Sequence, residues 1–208
     1  MQTFKRYYRM DAILIGGFIE IIELCELCNI NILGIIDNKI EKEYCGYPIL
    51  GNDNDAKQLS YRFKKIPLIL TPDLPATRKK LAYYYSSLGF SFLNLISPRA
   101  TVSKSSKIGK GVVIQSGANV SANVAIDEFV RLNTNANVMH DCKIGAFTTI
   151  APCAVLLGRG NIGCSCYIGA NSTILPDITV EDNAIIAAGA VVVKNVGAGK
   201  TVKGVPAK

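Results

Sequence analysis

Histidine occurs once in this 208-residue chain, and tryptophan not at all. A single imidazole excludes any site that needs several of them, such as the three-histidine zinc centre of the β-helical carbonic anhydrases, and no metal is expected. No apolar run approaches the roughly 20 residues that a membrane-crossing helix requires, so no membrane insertion is expected. The opening MQTFKRYYRM is basic and aromatic with no apolar stretch behind it, which does not read as a secretion signal. Met10 followed by DAILIGG would itself make a sensible start, so residues 1–9 read as a loose extension. The seven cysteines are odd in number and scattered, which is not a disulfide framework and points to a reducing cytoplasm. Cys25 and Cys28 have the spacing of a metal or redox pair, but they lie in an apolar helical stretch without a second pair and read as buried thiols. Nucleic acid is not an expected partner, because no stripe of basic and aromatic residues is present.

What is present divides the chain in two. Thirteen of the 16 aromatic residues precede position 96; only Phe129, Phe147 and Tyr167 follow. That break, near residues 93–98, suggests one unit over 1–95 and another over 96–208. The net charge of +7 lies mostly in the second unit. Its end carries Lys194, Lys200, Lys203 and Lys208 with no acid among them, either a solvated tail or a landing site for an anion such as a nucleotide phosphate.

The first unit alternates strand and helix patterns. AILIG (12–16), INILGIID (30–37), IPLILT (66–71) and FSFLNLI (90–96) read as strands; residues 18–28, 54–65 and 75–89 read as helices, the last with Pro75 near its start and Gly89 at its end. The expectation is a small, Rossmann-like parallel sheet with helices on its faces. Such sheets bind ligands at the carboxyl ends of their strands, which singles out Gly16, Gly17 and Asp37.

The second unit is a repeat. Stepping by six from Val102 to Val192 meets an aliphatic residue at all 16 positions. Two places before each, the residue is usually small, as at Ala118, Ala136, Cys142, Ala154 and Ala190. A period of six fits neither a helix nor a hairpin. It fits a parallel β-helix in which each unit forms one side of a triangular coil, one aliphatic side chain points inward, and the small residue occupies the crowded corner. His140 stands two places after the inward Val138, which puts it on the outer side of a coil.

The repeat, the motif HDCKIG (140–145) and the ending VKGVPAK resemble the hexapeptide-repeat acyltransferases. With the strand–helix first unit, the chain is similar to the bacterial sugar acetyltransferases that modify sialic acid or nucleotide-linked amino sugars. LNTNANVMHDCKIG and GANSTILPDITVEDNAIIAAGAVVVKN carry most of that likeness. The resemblance implies a left-handed parallel β-helix assembled as a homotrimer, with acetyl-CoA as cosubstrate and active sites between neighbouring chains. It implies that His140 is the general base and Asp141 the acid beside it. Asn133 would be presented to the sugar by a neighbouring chain, and the Gly158 N–H would face the thioester carbonyl. Coenzyme A would run along the C-terminal coils near Ala170 and Ala188, with Lys203 at its charged end. Asp37 would hold the nucleotide of a UDP-sugar.

The chemistry suits these parts. Neutral imidazole, with an ordinary pKa near 6.5, removes a proton as a nucleophile attacks. A carboxylate fixes its tautomer, and a backbone N–H steadies an oxyanion. Two departures stand out. Relatives have a second histidine nine places after the base, contacting the acetyl donor, where this chain has Thr149. They also carry a longer glycine run than IGGFIE, so the first unit either binds a nucleotide differently or only packs. The expected activity is N-acetylation of a nucleotide-linked amino sugar for a surface glycan. O-acetylation of sialic acid or another sugar is the alternative, and a non-catalytic β-helix scaffold a further one. A nucleotidyltransferase would need a much larger first unit.

Overall fold

The computed structural model describes residues 10–208. The extension read over residues 1–9 lies outside them. Strand β1 (Asp11–Ile15) is the centre of the first sheet, flanked in parallel by β2 (Asn31–Ile36) and β5 (Leu68–Leu70). Its residues 12–15 are all buried, as expected of a parallel strand covered on both faces. Ala12 and Leu14 pack with Ile21, Ile22 and Cys25 of α1 (Ile19–Leu27). Ile13 and Ile15 pack on the other side with Ala56 of α2 (Ala56–Phe63) and with Ala82 and Tyr85 of α3 (Pro75–Ser87).

The sheet is not purely parallel. A hairpin of β3 (Glu43–Tyr44) and β4 (Tyr47–Gly51) adds an antiparallel edge, and the strand order is β3-β4-β2-β1-β5. Its turn has positive φ at both Cys45 (51°) and Gly46 (81°), the backbone twist that a two-residue hairpin loop prefers. The stretch FSFLNLI also differs from expectation. Phe92 bridges to Leu68 of the first sheet, but β6 (Leu95–Ile96) pairs with Val113–Ile114 of the first coils. Asn94 fastens this crossover, donating to the Gly109 carbonyl and accepting from the Val112 N–H.

From Thr101 the chain winds as a left-handed β-helix. Two-residue strands recur every six residues and pair in parallel with strands 18 residues away, as in Asn119–Asn137–Val155, which builds three sheets. The aliphatic residue is the second of each strand. In one column Val120, Val138, Leu156, Ile174 and Val192 are each buried. Adjacent rungs lie about 4.8 Å apart, the spacing of hydrogen-bonded strands.

The corners differ in detail from the sequence expectation. The left-handed backbone falls three places before each inward aliphatic residue, mostly just ahead of the small one: Asn123, Phe129, Asn135, Asp141, Phe147, Cys153, Arg159, Ser165, Asn171, Asp177 and Asn183 all have φ between 56° and 64°. Asn and Asp tolerate this region best, which explains their frequency. The small residue follows and is buried, because its Cβ points into the coil. Phe129 and Phe147 are bulky for such a backbone. They stack one rung apart (centroids 5.2 Å, planes 5° apart), and Phe92 packs edge-on to Phe129. This aromatic corner is where the first sheet and its helices dock, in one cluster with Ile13, Leu70 and Tyr85.

Arg78 bolts the halves together. Its side chain is 1% exposed. Nε donates to the Phe129 carbonyl (2.8 Å), Nη1 to Pro72 and Asp73 carbonyls, and Nη2 to the Phe147 carbonyl (2.7 Å) and the Thr149 hydroxyl (3.0 Å). Burial, and then the nearby Arg131, push its guanidinium below the usual arginine range, while Asp73 opposes them.

Candidate active site

The three edges of the coil carry different residues. One edge, with Phe129 and Phe147, is closed against the first half. A second carries Asn133, Ala170 and Ala188. The third carries His140, Asp141 and Gly158.

His140 stands in the turn after Asn137–Val138, outside the aliphatic column, with its side chain 46% exposed. Its Nδ1 lies 2.8 Å from Oδ2 of Asp141. The left-handed backbone of Asp141 (φ 58°) accompanies this meeting of two adjacent side chains. Asn123, one rung above, donates to the other carboxylate oxygen (3.2 Å). These two hydrogen bonds, the histidine's first, hold the Asp141 carboxyl below the usual carboxylate range, with Arg159 adding a smaller pull. An ionised Asp141 accepts from Nδ1–H, which leaves the lone pair on Nε2. Nε2 has no hydrogen-bond partner among the described residues.

Gly158 lies one rung below, against the imidazole. A Cβ there would stand 2.6 Å from Cε1 and 2.7 Å from Nε2 of His140. Only glycine lets the ring occupy that place. The Gly158 N–H makes no hydrogen bond among the described residues, whereas its carbonyl accepts from the Asp177 N–H (3.2 Å).

Asn133 is 8% exposed and held within its own chain. Its amide donates to Oδ1 of Asp73 (2.9 Å), and its carbonyl accepts from Nε of Arg131 (2.9 Å). Arg131, Thr149 and Tyr167 lie side by side on one outward sheet face, in strand register, and all reach Asp73. Arg131 also donates to the Thr71 carbonyl. Thr149 is fully buried; its hydroxyl donates to the Asp73 carbonyl (2.7 Å) and accepts from Arg78. The hydroxyl is thus committed inside the junction of the two halves.

The ends of β1, β2 and β5 open into a cleft of about 420 Å³ lined by Gly16, Gly17, Asp37, Asp53, Thr71 and Asp73. The glycines belong there. Gly16 has φ 94°, and a Cβ on it would meet the Thr71 hydroxyl at 2.5 Å. Neither glycine amide is free, however. The Gly16 N–H bonds to the Ile36 carbonyl, and the Gly17 N–H to Oδ2 of Asp37 (2.8 Å). The other Asp37 oxygen accepts from the Lys39 and Ile40 N–H groups. The shortened loop is thus closed on its own aspartate.

Ala170 and Ala188 stack one rung apart, linked by the Gly189 N–H to the Ala170 carbonyl (2.8 Å). They share an edge with Asn133, a full face of the coil away from His140 and Gly158. Lys203 is exposed near the C-terminus and pairs backbone groups with Lys208. One chain therefore does not bring Asn133, Ala170 and Ala188 to the imidazole. Sequence reasoning missed Asn123, Arg159, Asp177, Asp73, Arg78 and Arg131. The first three were findable by stepping 18 residues from Asp141.

The family described as bacterial transferase hexapeptide (six repeats) matches residues 160–194. The crystal structure of PerB from Caulobacter crescentus, in complex with CoA and GDP-perosamine, superposes with a TM-score of 0.90 at 30% identity, covering 95% of this chain and 96% of that one. The acetyltransferase domain of PglB from Neisseria gonorrhoeae, in complex with acetyl coenzyme A, gives a TM-score of 0.88 at 29% identity over 96% of this chain and 98% of that one. A GDP-perosamine N-acetyltransferase from Escherichia coli O157:H7 is 36% identical over 108 residues, 52% of this chain and 41% of that protein. The chain spans about a third of the length of the first curated relatives it matches.

Proposed function

The chain belongs to the bacterial hexapeptide-repeat transferases, in the branch of the sugar acetyltransferases, and we propose that it carries an acetyl group from acetyl-CoA to the amine of a nucleotide-linked amino sugar in surface-glycan biosynthesis. The observation that carries this reading is the lone imidazole, bonded through Nδ1 to Asp141 and offering Nε2 above Gly158. The CoA and GDP-perosamine held by PerB and the acetyl coenzyme A held by PglB support the substrate class.

In the proposed reaction the sugar nitrogen attacks the thioester carbonyl carbon and a C–N bond forms. Nε2 of His140 takes a proton from that nitrogen, and Asp141 stabilises the resulting imidazolium. The oxygen that gains charge is met by the Gly158 N–H. Collapse breaks the C–S bond, and the imidazolium returns its proton to the departing sulfur. Asn133, Ala170 and Ala188 act from a neighbouring chain of a homotrimer, which supplies the edge that one chain keeps a face away. The cleft at Asp37 takes the nucleotide by contacts other than the two glycine amides, and Lys203 meets an anionic part of CoA. Use of acetyl-CoA and the free thiols, including the exposed Cys45 and Cys153, favour a cytoplasmic protein.

The test is CoA-thiol release with acetyl-CoA and a panel of UDP- and GDP-linked amino sugars and sialic acid. Turnover on an amino sugar, cut at least about 100-fold by His140→Ala with the trimer intact, is the expected result. Turnover on sialic acid alone gives O-acetylation instead. No thiol release with any acceptor, or normal kcat in His140→Ala, refutes the reading.

A further inference from the structure

The edge that carries His140 holds a polar column with a spacing of 18 residues: Ser105, Asn123, Asp141, Arg159 and Asp177. Each rung engages the next or pointedly avoids it. The Ser105 hydroxyl accepts from the Asn123 N–H (3.0 Å), and the Asn123 amide donates to Oδ1 of Asp141. Arg159 lies between two aspartates, one rung up and one rung down. Its Nε and Nη2 both go down, to Asp177, at 2.6 and 2.7 Å.

A guanidinium fork matches a carboxylate best when both oxygens are open. Asp177 offers both. On Asp141, one is held by His140 and the other by Asn123. The Arg159–Asp177 pair is exposed on both sides (54% and 62%), a setting in which ion pairs add little stability. Its consequence lies in which partner Arg159 takes. We propose that Asp177 is a decoy that keeps Arg159 off Asp141, and that Asn123 aims Asp141, so that the carboxylate stays on the imidazole. Asn123, Arg159 and Asp177 are then positioning residues for the base assigned above, on which this inference rests.

The charged surroundings of the ring are few. Its own coil has Asp141, the buried Cys142 thiol and Lys143. The rung above has only the neutral Ala122 and Asn123, and Lys104 stands two rungs up. The rung below has Arg159, and the next has Asp177. Without Asp177, Arg159 is, among the described residues, the one cation a single rung, about 4.8 Å, from Asp141. Its capture of that carboxylate would take the acceptor from Nδ1–H and the counter-charge from the imidazolium.

Because the chain has one histidine, NMR of the untagged, ¹⁵N-histidine-labelled protein reads that ring without ambiguity and without substrate. Asp177→Asn is expected to break the Nδ1–H contact with Asp141, read as loss of the single Nδ1–H tautomer in the ¹⁵N shifts of the neutral ring. Adding Arg159→Gln to Asp177→Asn is expected to restore that tautomer, and kcat should fall and recover in the same pattern while the KM for acetyl-CoA stays constant. The inference is overturned if Asp177→Asn leaves the tautomer in place, if the double variant is no better than the single one, or if only the KM for acetyl-CoA changes. An unchanged tautomer sinks the ladder alone. A tautomer that changes as described, with His140→Ala still fully active, sinks the base assignment and leaves the ladder's hydrogen bonds standing.

Discussion

Gly158→Ala probes the site through a single methyl group. The backbone at Gly158 is not in the left-handed region, so alanine strains nothing locally. Its Cβ would stand 2.6 Å from Cε1 of His140, where ordinary van der Waals contact begins near 3.4 Å, so the ring must retreat by about 0.8 Å. Retreat moves Nε2 away from the acyl carbon and stretches or breaks the 2.8 Å bond to Asp141. A misplacement of about 1 Å at a reacting centre costs roughly 100-fold, or about 2.7 kcal/mol of transition-state stabilisation. The assay is kcat for CoA-thiol release, with thermal unfolding and trimer mass as controls for folding. In the His140→Ala background the same change should cost less than about threefold, because its only target has gone. A Gly158→Ala enzyme that keeps kcat within threefold of wild type would show that the ring is not where the reaction needs it, or not needed at all. A 100-fold loss that persists on top of His140→Ala would assign the effect to the Gly158 N–H instead.

Asp141→Asn removes the acceptor that fixes the Nδ1–H tautomer and steadies the imidazolium, so kcat/KM should fall by at least about 100-fold while the KM for acetyl-CoA holds; an unchanged kcat/KM would deny the contact any catalytic role. The Asp141 carboxyl is held low, so whatever stability it lends is present above the ordinary carboxylate range and is lost only as pH falls through its depressed value; unfolding between pH 5 and 8 should show no step from this group. Arg78→Ala strands several buried carbonyls at the junction of the halves and should cost about 3 kcal/mol or more in denaturant unfolding, with less than 1 kcal/mol contradicting its role as a bolt. Thr149→Val should lower stability by about 1–2 kcal/mol and leave the KM for acetyl-CoA unchanged; a raised KM would assign Thr149 a cofactor contact.

The β-helix was legible because each side of a coil solves the same packing problem, and the three columns of aliphatic side chains together need one residue in six. His140 followed from that period, since a residue two places past Val138 cannot point into the column. The hairpin at Cys45–Gly46 was missed because its strands are short and its turn lacks the usual asparagine or aspartate. The corner rule was displaced by one residue for a physical reason: buried smallness and left-handed backbone belong to neighbouring positions, and Phe129 and Phe147 hide the second by being large.

The linear sequence determined the repeating coil, the outward place of its one imidazole, and the strand–helix alternation of the first half, because all of these depend on periodicity. Tertiary structure alone decided that Asp141 meets Nδ1, that Asp37 closes its own glycine loop, that Thr149 is sealed between the halves, and that Arg159 chooses Asp177. Those outcomes depend on which side chains become neighbours across rungs and across the junction, and hydrogen bonds of about 3 Å are settled only when the chain has folded.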